Sequence, residues 1–245
     1  MIEHTSVLKA AEIILSSDYL IALTGAGISS ESGVPTFRGA DGLWRNYDAM
    51  QLATPEAFRK DPKLVWEWYS WRQGLILGCE PNLAHLTLAK WEAKNVLRGL
   101  ITQNVDNLHS RAGSKNIIQV HGSIFKLKCT ECEFKGDLTA PPKDIPLCSA
   151  CGSYLRPDVV WFGENLDYHI MSQTYKELDQ ADTILVIGTS GIVQPAASFP
   201  LIVRQHGGKI IDINIEPTSI SNFAEVYITG KASEVLREID LALDL

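Results

Sequence analysis

The chain lacks any run of about eighteen apolar residues, and its start, Met1-Ile2-Glu3-His4, is polar and acidic where a secretory signal is basic and then apolar. Neither a membrane span nor an export route is expected, and the cytoplasm is the expected compartment. Also missing is a block of lysines and arginines that could track a phosphate backbone: 22 basic side chains stand against 29 acidic ones, for a formal net charge of −7. Direct nucleic-acid binding is therefore not expected, whereas an acidic surface mildly favours lysine-rich protein tails. Internal repeats and low-complexity tracts are absent as well. Cysteine is scarce, with five in 245 residues. Four of them fall in metal-type spacing, which suits a reducing compartment, and Cys79 reads as an ordinary half-buried thiol.

Cys129/Cys132 and Cys148/Cys151 form two Cys-x-x-Cys pairs separated by 15 residues. Two such pairs can close around one tetrahedral zinc as four thiolates. With every ligand supplied by the protein, the metal has no open position for water or substrate, so a structural role is expected. The stretch from Cys129 to Cys151 holds Pro141, Pro142 and Pro146 and few large apolar side chains. It cannot bury a core of its own and should depend on the metal to fold.

With 45% hydrophobic residues, the chain can bury a sizeable core. Short Ile- and Val-rich runs recur at Tyr19–Leu23, Leu100–Thr102, Ile117–Val120, Val159–Phe162, Thr183–Gly188, Lys209–Asn214 and Val226–Ile228. Helical patterns lie around Ser6–Ser17, Leu64–Leu77, Pro81–Trp91, Met171–Asp179, Ala196–His206 and Lys231–Leu243. This alternation predicts an α/β fold, a doubly wound Rossmann-like parallel sheet covered on both faces. Residues 1–33, 79–122 and 158–245 are assigned to it. Residues 34–78, aromatic and arginine-bearing, are expected to form a helical and cofactor-loop insertion, and residues 123–157 a zinc-binding module. Together the two inserts should make a small second domain facing a cleft.

Tyr19–Leu23 runs into Thr24-Gly-Ala-Gly-Ile-Ser-Ser-Glu-Ser-Gly33, a strand followed by a glycine-rich turn and a helix start. Backbone amides in such a turn can meet a pyrophosphate. The fingerprint is imperfect, because Ser30 takes the place of the third glycine. No apolar strand ending in an acidic residue follows about twenty positions on, which weakens a hydride-transfer reading.

Gly25–Gly39 (GAGISSESGVPTFRG), Thr102–His109 (TQNVDNLH), Val120-His-Gly122 and the four cysteines, in that order, closely resemble the sirtuins, the NAD-dependent protein-lysine deacylases. The likeness continues through Val160–Glu164, Gly188-Thr-Ser190, Gln194–Ala197 and Ile213–Thr218, from about residue 20 to 235. The resemblance implies a reaction in which the amide oxygen of an acylated lysine attacks the ribose carbon that carries nicotinamide. The products are free lysine, nicotinamide and 2′-O-acyl-ADP-ribose. It implies NAD as co-substrate, one structural zinc, and acylated-lysine proteins or peptides as partners.

By the same resemblance His121 is the general base, a task that suits an imidazole near neutral pH. Asn104 orients the nicotinamide ribose, and Asp106 and Gln103 line the nicotinamide pocket; Asn104 and Asp106 are also good helix caps. Gly25, Ala26, Gly27, Thr36, Phe37 and Arg38 map onto the cofactor turn and loop. Gly188, Thr189, Ser190, Asn214 and Glu216 map onto the ribose-binding strand ends, and Ala232 falls near adenine. Gly191 departs from the family, which usually has a larger apolar residue there, and is expected to loosen its loop. Val160, Trp161, Phe162 and Gly163 are expected to pair with an extended peptide through main-chain hydrogen bonds.

Tyr69 and Arg72 are three apart in Trp66-Glu-Trp-Tyr-Ser-Trp-Arg72 and share a helix face. A phenol and a guanidinium together suit a carboxylate. The pair resembles the Tyr-x-x-Arg of sirtuins that remove succinyl and malonyl groups, with Ala53 as the small residue that widens their pocket. An aromatic stack for the arginine is the plainer alternative. Two rival functions stand beside the deacylase: a mono-ADP-ribosyltransferase on the same fold, and a non-catalytic NAD-binding module.

Overall fold

The computed structural model describes residues 2–36, 43–44 and 47–244. In chain order the first elements are α1 (His4–Leu15), β1 (Leu20–Thr24), α2 (Ala26–Ser30), β2 (Leu43–Trp44), β3 (Tyr47–Asp48), α3 (Ala49–Leu52), α4 (Pro55–Lys60), α5 (Pro62–Leu77), α6 (Leu83–Ala93) and β4 (Leu97–Thr102). They are followed by α7 (Leu108–Ala112), β5 (Ile117–Gln119), β6 (Gly122–Cys129), β7 (Lys135–Asp137) and β8 (Leu155–Val159). The last are α8 (Tyr168–Gln180), β9 (Thr183–Ile187), α9 (Phe199–Gln205), β10 (Lys209–Asn214), β11 (Val226–Thr229) and α10 (Ala232–Leu243).

Six strands pair in parallel in the order β11-β10-β9-β1-β4-β5. All five residues of β1 (LIALT) and of β9 (TILVI) are buried, which is why these strands read as unbroken apolar runs rather than alternations. One face packs on α1, α6 and α10, where Leu20, Leu185 and Ile211 meet Trp91 and Leu236. The other carries Ile21, Val186 and Ile210 against Phe199 and Val203. From β1 the chain winds outward through β4 and β5, then returns to β9 on the opposite side of β1. The carboxyl ends of β1 and β9 therefore flank the point where strand order reverses, the usual ligand site of such sheets.

The expected strand Val159–Phe162 does not join this sheet. β8 ends at Val159 and runs antiparallel to β6 in a separate sheet of order β7-β6-β8. The residues beyond it are drawn sideways: Val160 N–H donates to the His121 carbonyl and Phe162 N–H to the Ala53 carbonyl. The small sheet also reaches to Gly122 and Val159, a residue or two past the expected module edges.

The two inserts share one apolar cluster, in which Phe58, Trp66 and Trp68 meet Ile124, Leu155 and Trp161. Side chains of α5 also bond the module backbone, Trp66 Nε1 to Leu155 O at 2.9 Å, Gln73 Nε2 to Ile124 O at 2.7 Å and Ser70 Oγ to Pro142 O at 3.0 Å. α5 starts where Asp61 accepts from Leu64 N at 3.0 Å with Pro62 at its first position, a cap and an N1 proline together. No helix among the described residues is long and apolar enough to cross a membrane.

Candidate active site

A cavity of about 1310 Å³ opens at the carboxyl edge of the sheet between β1 and β9, and the second domain roofs it. Drug-sized ligands occupy roughly 300–1,000 Å³, so there is space for a dinucleotide and an inserted side chain. Gly25, Ala26 and Gly27 after β1 line it, with Thr36. Gln103 and Asn104 enter from the end of β4, His121 from beyond β5, and Gly188, Thr189 and Ser190 from the end of β9. Asn214 and Glu216 close the β10 side. Ala53, Tyr69, Arg72, Val160, Trp161, Phe162 and Gly163 form the opposite wall. Phe37 and Arg38 lie outside the described residues.

Two expected residues sit elsewhere. Ala232 is buried in the core beneath the first turn of α10. Asp106 lies behind the wall, where Oδ1 accepts from Leu108 N at 2.9 Å at the start of α7. Burial pushes its carboxyl pKa up, opposed by that bond, by Ser29 and by the Arg72 charge.

The glycines of the turn serve the fold before any ligand. Gly25 N–H donates to Ile187 O at 3.0 Å and Gly27 N–H to Gly188 O at 2.8 Å, which clips the β1 turn to the β9 loop. A Cβ on Gly27 would stand 2.7 Å from Gly188 Cα, and one on Gly188, at φ +58°, would stand 2.6 Å from Ile28 N. Gly191 also has a positive φ, +65°, and a Cβ there would meet Ile220 at 3.0 Å. Glycine suits that backbone conformation, and the room for a larger residue is bounded by the Ile220 side chain.

The Asn104 amide donates to Gly25 O at 3.0 Å and to Ser29 Oγ at 3.2 Å, so Oδ1 is the acceptor it offers to a ligand. Gln103 Nε2 donates to Thr189 Oγ1 at 2.8 Å, and Asn214 Nδ2 donates to Thr189 O at 2.8 Å. Both amides tie neighbouring loops together. His121 Nδ1 stands 3.0 Å from Gln103 O. A carbonyl can only accept, so Nδ1 carries the proton and Nε2 carries the lone pair. Burial lowers the imidazole pKa, opposed by the bond to Gln103, and keeps a neutral base at physiological pH.

Behind this wall lies a buried polar network that sequence reasoning missed. His85 Nδ1 accepts from Asn82 N at 3.3 Å, which turns Nε2–H toward Ser29 Oγ at 3.4 Å. His109 Nε2 bonds Thr24 Oγ1 at 2.9 Å, Thr24 donates to Thr102 Oγ1 at 2.8 Å, and that oxygen accepts Asn104 N at 3.1 Å. The two imidazoles are 4.7 Å apart. Burial lowers the His85 pKa to about 4 and that of His109 well below its ordinary value, so both are neutral. Polar residues closing apolar strands, Thr24 and Thr102, were the available signal. Ile192–Pro195, and Ile215 and Pro217–Ser219 on either side of the expected Glu216, also line the cavity and were missed as site residues, although each loop follows the carboxyl end of a parallel strand.

On the opposite wall Tyr69 Oη accepts from Trp161 Nε1 at 2.7 Å, and burial raises the phenol pKa, so it stays a donor. Arg72 is buried, with Nη2 at 3.2 Å from Pro35 O. Burial lowers its pKa, while Tyr69 and Asp106 raise it; a guanidinium remains charged in any case.

The four paired cysteines bring all their sulfurs within 4.8 Å of one another, with Cys129–Cys151 at 3.5 Å and Cys132–Cys148 at 3.6 Å. Tetrahedral zinc with Zn–S of about 2.3 Å requires S–S near 3.8 Å, and a disulfide requires about 2.05 Å. The arrangement fits a metal and not a disulfide.

A family model described as "Sir2 family" matches residues 25–195. An NAD-dependent protein deacylase of Pyrococcus furiosus is 50% identical over 238 residues, covering 94% of this chain and 95% of that protein. Among solved structures, a Sir2 homologue in complex with NAD superposes with TM-score 0.91 at 49% identity, covering 96% of this chain and 94% of the other. A mutant Sir2 homologue in complex with 2′-O-acetyl ADP ribose gives TM-score 0.92 at 49% identity, covering 97% and 98%.

Proposed function

This chain belongs to the Sir2 family, and from that premise we propose that its cavity removes acyl groups from protein lysines, with a pocket shaped for acyl groups that end in a carboxylate. It is an NAD-dependent protein deacylase, as its half-identical relatives are named. NAD supplies the ribose carbon that loses nicotinamide and accepts the acyl group, giving 2′-O-acyl-ADP-ribose.

The protein's part divides between the two walls. On the sheet side, the Gly25–Gly27 turn receives the pyrophosphate at Ala26, its Gly25 and Gly27 N–H groups being bonded to β9 and its loop, and Asn104 Oδ1 holds a ribose hydroxyl. His121 Nε2 withdraws the ribose hydroxyl proton once nicotinamide has gone, and its Nδ1–H···O bond to Gln103 holds the ring in the basic tautomer. Asp106 acts from behind, through the position of α7 and the charge it shares with Arg72. Cys129, Cys132, Cys148 and Cys151 would hold a zinc ion as four thiolates, and it would supply a structural crosslink to the module carrying β6 and β8. The net charge of −7 gives nucleic acid no purchase. Thiolate ligands and a free Cys79 keep best in a reducing cytoplasm.

The observation that carries the acyl reading is the pair on α5: a phenol held as a donor and a buried guanidinium, both at the cavity wall with the small Ala53. A neutral acetyl offers this guanidinium no carboxylate, whereas succinyl or malonyl carries one that can accept from it bidentately. Arg72→Met should lower kcat/KM for a succinyl-lysine peptide by roughly ten- to hundredfold, the worth of a hydrogen bond to a charged group. Deacetylation should fall far less. Equal losses on the two substrates would refute the acyl assignment and leave the deacylase chemistry standing.

A further inference from the structure

One ion pair, with its arginine buried and its glutamate half-buried, reaches both the peptide edge and the acyl pocket. Arg156, the second residue of β8, is 7% exposed and grips Glu164 with two nitrogens, Nη1 to Oε1 at 2.5 Å and Nη2 to Oε2 at 2.9 Å. Its Nη2 also donates to Val159 O at 2.8 Å. The guanidinium lies 3.2 Å from the centroid of the Trp161 ring, and Glu164 Oε2 accepts Trp161 N–H at 2.9 Å. Trp161 is therefore held by its backbone and by its ring face, and it is 2% exposed. Its remaining polar atom, Nε1–H, donates to the Tyr69 hydroxyl.

We propose that Arg156 and Glu164 are positioning residues for acyl selectivity: their ion pair fixes the Val160–Gly163 turn and, through the Trp161 indole N–H, aims the Tyr69 phenol. The proposal rests on the acyl reading above. The geometry gives the turn few ways to move. Val160 N–H is bonded to His121 O, Phe162 N–H to Ala53 O and Glu164 N–H to Trp161 O, so the turn that the clamp fixes is tied to the backbone of the general base and to that of the small pocket residue. A phenol with two rotatable bonds points its proton wherever its acceptor side is anchored, and the indole is that anchor. Neutralising Glu164 frees the turn, the indole shifts over its guanidinium, and the Tyr69 hydroxyl loses its fixed direction. An acyl group ending in a carboxylate should feel that change more than an acetyl group, which ends in a methyl.

A double-mutant cycle tests the route. In the wild-type background Glu164→Gln should raise KM for a succinyl-lysine peptide roughly three- to tenfold, the range of one lost hydrogen bond. KM for NAD should stay within about twofold, and deacetylation should fall less. In a Tyr69→Phe background the same change should alter desuccinylation less than about twofold, because the atom it positions is gone. Circular dichroism and thermal unfolding check that each variant folds. If Glu164→Gln does not, Trp161→Phe takes its place in the cycle, since it keeps an aromatic ring and removes the indole N–H; the ring volume it also loses is common to both Tyr69 backgrounds and cancels in the coupling term. Equal losses in both backgrounds, or a Tyr69→Phe enzyme indistinguishable from wild type on both substrates, overturn the proposal. Arg72→Met run alongside reads the acyl assignment separately: its failure with coupling intact would leave the clamp acting through Tyr69 on peptide binding generally.

Discussion

Three glycine-to-alanine changes separate the two reasons for glycine at the cofactor edge. Gly207 has φ +85° with nothing within 4 Å of an added Cβ, so Gly207→Ala adds backbone strain alone. That costs about 1–2 kcal/mol. Gly27 carries no such φ but would place its Cβ 2.7 Å from Gly188 Cα and 2.8 Å from Gly188 O, so Gly27→Ala adds the collision alone. Overpacking of this kind costs about 1–3 kcal/mol. Gly188→Ala suffers both, with φ +58° and contacts at 2.6 Å to Ile28 N and 2.8 Å to Gly27 Cα; the sum is about 2–5 kcal/mol. At about 2–4 °C per kcal/mol for a chain of this size, Tm should fall by up to about 8 °C for Gly207→Ala and clearly further for Gly188→Ala. Collision at Gly27 or Gly188 also pries apart the Gly27 N–Gly188 O bond and should raise KM for NAD, whereas Gly207→Ala should leave that KM alone. Thermal unfolding and steady-state kinetics with NAD varied make the assay. Equal Tm losses for Gly188 and Gly207, with KM for NAD untouched in all three, would refute the claim that these glycines hold the cofactor turn to β9.

Deacylation should need neutral His121, whose pKa burial lowers from the ordinary 6.5, so the acid limb of kcat/KM should centre below pH 6.5; a limb centred above 6.5 would contradict the burial argument. Stability should also decline in acid. His85 is lowered to about 4 in the fold, so between roughly pH 6.5 and 4 the unfolded chain binds the extra proton and stability falls with pH, by up to about 1.4 kcal/mol per unit. Denaturant midpoints from pH 7 to 5 should show this slope and His85→Asn should reduce it; an unchanged slope would mean the site is not buried neutral. Stripping zinc with a chelator, or Cys148→Ser, should unfold the module that anchors Trp66 and Gln73 of α5 and abolish activity indirectly. Metal content, circular dichroism and rescue by added zinc check this, and a zinc-free protein with fold and turnover intact would refute it.

The parallel sheet was legible because β1 and β9 are buried on both faces and write that fact as continuous apolar runs. The Val159–Phe162 run misled for the same reason: Val159 and Trp161 are buried, but in the second domain, and burial alone does not say which sheet a strand joins. The cysteine module was legible from spacing, since ligand geometry constrains sequence separation directly. The His85–Ser29 and His109–Thr24–Thr102 network was not, because its members lie 56 to 85 residues apart and only the fold brings them together. Asn214, expected at the ribose, lines the cavity and also ties the β9 and β10 loops through its amide, a use that depends on strand order and leaves no local mark.

The most direct test of the central claim incubates the protein with matched acetyl-lysine and succinyl-lysine peptides, with and without NAD, and follows freed lysine peptide and acyl-ADP-ribose by mass spectrometry. The account predicts turnover only with NAD, one acyl-ADP-ribose per lysine freed, and a higher kcat/KM for the succinyl peptide. A higher kcat/KM for the acetyl peptide would contradict the Tyr69/Arg72 pocket, and ADP-ribose carried onto protein in place of acyl-ADP-ribose in solution would contradict the deacylase itself.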